Sequence, residues 1–346
     1  MSHACGGTRV WDLLRGGRVK ILMYHGVPTR ERFDGVENYW RYNVPLKEFR
    51  GQVTHLAKRC NVISLADFLE GKGLSTSRTN VVITFDDGYG NNYTNAWPVL
   101  KELGLPALFA ITTGFVMDRQ PLWNDVVEYA VQNSPLSNLT LTWKGEDVSF
   151  DLTHDAGRVA LNNWALRTAV TVDQEDRAPF LELLIQSLQV DASAEQVFSN
   201  EDYRPMTPEQ VHELSQQDGV EIASHSVHHF LLAKLERDEM RAELRDSKAR
   251  LEAVTGQSCT SLCMPGGSYD AAVLEEAREA GYTSVLTSDV GPATASAPTL
   301  NRYGVFSRES VAWFADEIHG PVLPLVRATA RAKHNLRTRA KSWRAS

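Results

Sequence analysis

Two adjacent carboxylates, Asp86 and Asp87, and two imidazoles four residues apart, His225 and His229, are the groups whose types and spacing could act together. One helical turn or one loop would direct both imidazoles to a single point, and a carboxylate would complete a set of three. A mixed nitrogen and oxygen set of three suits a catalytic divalent cation, zinc above all. The carboxylate left over could serve as a general base, or could simply cap a helix. His228 reads as a bystander, because it points away from its neighbour.

Two strands must position these groups. Val81, Val82, Ile83 and Phe85 form a short β-branched run, the pattern of a strand buried on both faces. It stops at Asp86-Asp87-Gly88. Neighbouring side chains of a strand point to opposite faces, so both carboxylates reach one site only if the chain turns there, and Gly88 permits a turn at positive φ. Residues 219–229 read as a second strand running into the histidine cluster. The carboxyl ends of buried strands are where α/β proteins build their sites.

Thr84-Phe85-Asp86-Asp87-Gly88 followed by His225-Ser226-Val227-His228-His229 resembles the polysaccharide deacetylases, in that family's motif order. The resemblance spans about residues 19–320. It implies a distorted (β/α) barrel, usually of seven strands, and a metal-dependent hydrolase that removes N-acetyl groups from a polysaccharide, oligosaccharide or lipid-linked glycan. It assigns Asp87, His225 and His229 to one divalent metal ion, with Zn2+ expected, and Asp86 to the general base. In the family's third motif a backbone N–H faces the oxyanion. The matching stretch, Leu262-Cys263-Met264-Pro265-Gly266-Gly267, keeps the proline and last glycine but lacks the motif's arginine and aromatic residue, so Gly266 would supply the N–H and the orientation of Asp86 is left open. The C-terminal Leu-x-His motif is not visible after Thr283. Members acting on poly-N-acetylglucosamine look circularly permuted and take the acid from an N-terminal Tyr-His stretch, here Tyr24-His25, so His25 would protonate the leaving amine. Trp123, Trp40 and Tyr42 could stack on sugar faces or simply pack. Two rival readings are another C–N hydrolase on this scaffold, such as a deformylase or cyclic-amide hydrolase, and a catalytically inactive sugar-binding domain.

Strand and helix patterns alternate over most of the chain, which points to an α/β fold with a parallel sheet, open or closed. The expected strands are 19–24, 61–65, 80–85, 106–112, 219–224, 283–286 and 301–305. Helices are expected over 45–59, 66–72, 91–103, 236–254, 270–280 and 308–319. Alternation breaks over 121–206, which carries a hairpin (139–143 and 148–152) and two polar helices and reads as an insertion over one face of the domain. It resumes at Thr207-Pro208-Glu209-Gln210, a capping box with proline at the first helical position. Residues 1–18 read as a flexible N-terminus.

At 42 % hydrophobic and 23 % charged residues the composition is that of an ordinary globular protein, and a net charge of −7 argues against nucleic acid as a partner. Cys5, Cys60, Cys259 and Cys263 follow no metal-ribbon or Cys-x-x-Cys spacing. The first thirty residues lack the apolar core of a signal peptide, so the expectation is a cytoplasmic protein with reduced thiols. Residues 321–346 hold Arg327, Arg331, Lys333, Arg337, Arg339, Lys341 and Arg344 and no acid. This basic C-terminal tail is read either as a solvated charge block or as a helix lying peripherally on an anionic membrane.

Overall fold

The computed structural model describes residues 19–307 and 310–319. The expectations for 1–18 and for the basic tail lie outside the described residues.

The barrel strands are β1 (Val19–Tyr24), β2 (Asn61–Val62), β3 (Asn80–Phe85) and β4 (Ala107–Ile111). The order along the sheet is β10-β1-β3-β4-β7-β8-β9, with β7 at Val220–Ser224, β8 at Ser261–Cys263, β9 at Ser284–Leu286 and β10 at Arg302–Gly304. Every pairing along this path is parallel, and β2 pairs with the first half of β3. A parallel bridge between Leu286 and Leu300, with Thr287 N donating to Leu300 O at 2.9 Å, brings the two ends together. The result is the distorted (β/α) barrel expected. Strand β2 is shorter than its apolar run suggests, because Leu65 already opens the helix Leu65–Leu69.

Strand alternation sorts the side chains into two layers. Val19, Ile21, Val82, Leu108, Ala110, Ala223, Cys263 and Leu286 fill the interior, with Ile63, Leu65 and Phe68 packed among them. Val81, Ile83, Phe85, Phe109 and Ile111 face outward to the helices. There the Phe85 and Phe109 rings stack at 4.9 Å, and burying each such ring stabilises the fold by roughly 1.5–3 kcal/mol. Thr84 and Asp86 share the inward parity of Val82, so the first acid of the pair continues the interior face.

Outside the sheet run α1 (Leu46–Arg59), α3 (Trp97–Leu103) and α4 (Thr113–Met117), while α2 (Leu65–Leu69) turns Leu65 and Phe68 into the interior. Residues 92–96 form a π-helical turn before α3. Helix α5 (Trp123–Asn133), the antiparallel hairpin β5–β6 (Asn138–Trp143 and Glu146–Asp151), α6 (Asp155–Thr171), α7 (Gln174–Ser187) and α8 (Ala194–Val197) follow. These elements have their own apolar core, including Val127, Leu139, Leu161, Phe180 and Leu184. Then come α9 (Pro208–Ser215), α10 (Arg237–Thr255), α11 (Ala271–Glu279) and α12 (Val311–His319). Helix α9 opens with the expected capping box, Gln210 N donating to Thr207 Oγ1 and Thr207 N to Gln210 Oε1. Cys60, Cys259 and Cys263 are buried, and no disulfide joins them to one another among the described residues. No helix among the described residues is long and apolar enough to cross a membrane.

Candidate active site

Five neighbouring strands meet at the carboxyl rim of the barrel. Tyr24 pairs with Phe85 and Asp86 N donates to Tyr24 O at 2.9 Å, so His25 and Asp86 leave adjacent strands side by side. Ile111 pairs with Ser224, and His225 N donates to Ile111 O at 2.9 Å. Ser224 pairs in turn with Leu262 of β8.

The chain turns at the acid pair, and the turn begins one residue earlier than the glycine alone implies. Asp87 itself is left-handed at φ 77°, followed by Gly88 at 97°. Ser226 (63°) and His229 (56°) are left-handed as well. Non-glycine residues adopt this region at a cost, and such strain gathers where a site needs a particular direction. Here the reversal sends Asp87 toward the histidines while Asp86 stays with the barrel interior.

The two acids consequently have different partners. Asp86 lies in the fork of Arg302, with Nη1 donating to Oδ1 and Nη2 to Oδ2, both at 2.7 Å. Arg302 also donates through Nε to Thr287 O (3.0 Å) and through Nη1 to Thr84 Oγ1 (3.3 Å). Burial pushes the Asp86 carboxyl up, but Arg302, His225 and His25 together outweigh it and hold it below the usual carboxylate range. Asp87 Oδ1 is 3.4 Å from both His225 Nε2 and His229 Nε2. It too sits below the usual range, because these histidines and His25 outweigh its burial.

Asp87, His225 and His229 fit a metal ion by their own chemistry. One ligand atom from each lies within 4.8 Å of the others, and Asp87 Oδ1 is buried without a hydrogen-bond donor among the described residues. His225 Nδ1 sits 2.9 Å from Cys263 O. A carbonyl only accepts, so Nδ1 carries the proton and Nε2 faces the acids, the arrangement that orients a ligating imidazole. Burial brings His229 down to about 4, leaving it neutral near pH 7. His225 is raised, because Asp86 and Asp87 together outweigh its burial, and it would release its proton to bind a cation.

The remaining expected residues fall around this rim. His25 has its ring 5.2 Å from that of Tyr42, and its buried Nδ1 meets no hydrogen-bond partner among the described residues. Asn92, from the π-helical turn, donates to His25 O at 2.7 Å, and Asn91 and Asn95 hold both polar groups of Val27. Tyr42 also meets Phe306, while Trp40 and Tyr42 remain 49 % and 44 % exposed. Gly266, left-handed at 56°, lies in the tight turn after β8, where a Cβ would come within 2.7 Å of Leu231. Trp123 opens α5 and packs against the separate core of residues 121–206 rather than standing free.

Three groups escaped sequence reasoning. Arg302 stands where no motif marks it, although a charged residue inside a buried strand calls for a partner. Glu243, on α10, accepts the N–H groups of Val227 (2.9 Å) and His228 (3.0 Å) and pairs with His228 Nδ1. Asp125 accepts the Tyr89 hydroxyl at 2.9 Å, which ties α5 to the turn after Asp87. The bystander His228 is thus a fixed part of the loop.

The sequence profile of the polysaccharide deacetylases matches residues 73–285, well over half of the chain. Bacillus subtilis YxkH, itself assigned to the polysaccharide deacetylases, is 21 % identical over 280 residues, covering 80 % of this chain and 67 % of its own. Among solved structures, the Streptococcus pyogenes deacetylase PplD, in complex with acetate, superposes with a TM-score of 0.55 at 18 % identity, covering 88 % of this chain and 99 % of that one. IcaB from Ammonifex degensii gives 0.54 at 17 %, covering 88 % and 97 %. Likeness at these identities shows a shared fold, whereas the profile match carries the family. The chain belongs to the polysaccharide deacetylases, hydrolases of carbon–nitrogen bonds other than peptide bonds.

Proposed function

We propose that this chain removes N-acetyl groups from the amino sugars of a polysaccharide, oligosaccharide or lipid-linked glycan, with one divalent metal ion held by Asp87, His225 and His229. The nitrogen and oxygen donors favour zinc. When bound, the ion would supply Lewis-acid activation of water and of the acetamide carbonyl.

Asp86 is the general base. Its carboxylate stays ionised near neutral pH, and the Arg302 fork fixes its plane. A carboxylate offers about four lone-pair directions, so the two guanidinium bonds leave capacity to take a proton from the attacking water. The Gly266 N–H stabilises the charge developing on the carbonyl oxygen. His25, at the end of the strand beside Asp86, returns a proton to the departing amine. Trp40 and Tyr42 offer exposed rings to the sugar, and residues 121–206 form an insertion that walls one side of the cleft.

The separation of the two acids carries this reading. One carboxylate sits in a guanidinium fork, its neighbour against two imidazoles, both at the same rim. The intact pair with Arg302 also argues against an inactive sugar-binding domain. The test is metal analysis of the purified protein, followed by acetate release from a panel of N-acetylated glycans, with Asp86→Asn as the control. The variant is expected to keep its metal and lose about 10²–10⁴ in kcat. No acetate from any glycan, or near-normal turnover by the variant, overturns the assignment.

A further inference from the structure

Helix α5 presents a row of side-chain acceptors to two neighbouring segments. Asp125, Glu128 and Gln132 stand three and four residues apart, so they share one face. Asp125 accepts the Tyr89 hydroxyl at 2.9 Å. Glu128 Oε1 accepts both Asn38 N (3.0 Å) and the Tyr203 hydroxyl (2.7 Å). Gln132 Oε1 accepts Val36 N at 3.0 Å. Residues 25–45 contain no helix or strand, so side chains must supply partners that a ladder would otherwise give their backbone N–H groups.

The hold on Asn38 passes inward to the site. Asn38 is left-handed at φ 47°, a conformation that asparagine tolerates better than most residues. Its side chain brackets Asn43, with Nδ2 donating to Asn43 O (2.8 Å) and Oδ1 accepting Asn43 N (2.9 Å). Asn43 Oδ1 in turn accepts Gly26 N at 3.0 Å, and Val44 N donates to Gly26 O at 3.0 Å. Gly26 directly follows His25, and Tyr42, directly before Asn43, has its ring 5.2 Å from the His25 ring. Three hydrogen-bonded steps therefore run from Glu128 to the backbone beside His25. Through Tyr203 the same carboxylate oxygen reaches the other side of the site. There Gly90 N donates to Arg204 O at 2.7 Å and Met206 N to Gly88 O at 2.9 Å, in the turn after Asp87.

We propose that Glu128 is a positioning residue for the reaction, holding Tyr42 and the backbone beside His25 in register with the turn that follows Asp87. Its effect on catalysis rests on the deacetylase reading, whereas the connection from Glu128 to Gly26 rests on the hydrogen bonds alone.

The test is amide hydrogen exchange of the full-length, metal-loaded protein, read at Asn38, Asn43 and Gly26, whose N–H groups the three steps occupy. Glu128→Ala should speed exchange at all three by about tenfold, the lower end of what a hydrogen bond to a charged group is worth, and leave Val82 in β3 unchanged. Faster exchange at Asn38 alone would be a local loss; Gly26 reads the connection. Glu128→Gln keeps an oxygen able to accept both bonds. Burial already raises the Glu128 carboxyl to about 7, so a neutral amide is a close substitute. This variant should hold exchange at Asn43 and Gly26 within about fivefold of wild type. In a second arm, Glu128→Ala should bind as much metal as wild type while kcat for acetate release falls about tenfold to a hundredfold, the cost of a misplaced reacting group, and Glu128→Gln should recover it. Should Glu128→Ala not fold, Asn43→Ala cuts the connection at its other end, and should speed exchange at Gly26 and lower kcat while Asn38 stays protected. Unchanged Gly26 exchange in Glu128→Ala, or in Asn43→Ala where only that variant folds, overturns the positioning role, as does faster exchange with an unaltered kcat. Faster exchange at Gly26 in a protein that releases acetate from no glycan overturns the deacetylase reading and leaves the connection standing.

Discussion

Replacing Arg302 by methionine strands the proposed base without a cation. Asp86 would lose two 2.7 Å bonds, and Thr287 O would lose its 3.0 Å donor. Arg302 is 1 % exposed and Asp86 2 %, so solvent does not replace those donors. Removing one partner of a buried ion pair costs about 3–5 kcal/mol. The pH dependence has a definite sign. Wild-type Asp86 is held below its unfolded pKa, so its contribution to stability is present above about pH 3.9 and is lost as pH falls through the folded value. Without Arg302, burial is opposed only by the histidines and the folded pKa rises. The acid limb of kcat/KM should therefore move to higher pH, and the stability gap to wild type should narrow toward pH 4. Urea unfolding midpoints at pH 7 and pH 4 check this for Arg302→Met, Asp86→Asn and the double variant. The double variant should recover much of the loss, because asparagine removes the stranded charge. The reasoning fails if Arg302→Met lies within about 1 kcal/mol of wild type, the worth of an exposed pair, or if the double variant is no more stable than Arg302→Met.

Three other outcomes are expected. His229→Ala should stay folded and lose most of its bound metal on dialysis, since three ligands leave none spare; equal stoichiometric metal in variant and wild type would contradict the site. His25→Ala should keep metal while kcat drops by about 10²–10⁴ and the basic limb of the pH profile changes. An unchanged limb would remove His25 from the reaction. Glu243→Ala should lower resistance to a chelator by about 10–100-fold, because the carboxylate holds the loop before His229 through two N–H groups. Glu243 sits below the usual glutamate pKa, because its His228 and backbone bonds outweigh burial, and His228 sits above the usual histidine value, chiefly through its bond to Glu243. The clamp should thus weaken as pH falls through the first value and as it rises through the second. Chelator resistance that matches wild type in Glu243→Ala would refute it.

Local information was enough for much of this protein. The β-branched run of β3 marks a strand buried on both faces, and the capping box at Thr207 and Gln210 marks where α9 begins, because both depend on neighbours in the chain. The two strand-end motifs likewise announced that acids and imidazoles would share a rim. What residues alone left open was which partners each carboxylate meets. That depends on Asp86 keeping the inward parity of Val82 and Thr84 while Asp87 turns left-handed toward the histidines. It depends equally on Arg302, which reaches Asp86 across 216 residues of chain. No spacing encodes that pair, since barrel closure through Leu286 and Leu300 is what brings β10 beside β1 and its guanidinium into the interior. Strand parity is a property of consecutive residues, whereas the partner of a buried charge is chosen by which distant strands the closed sheet makes neighbours.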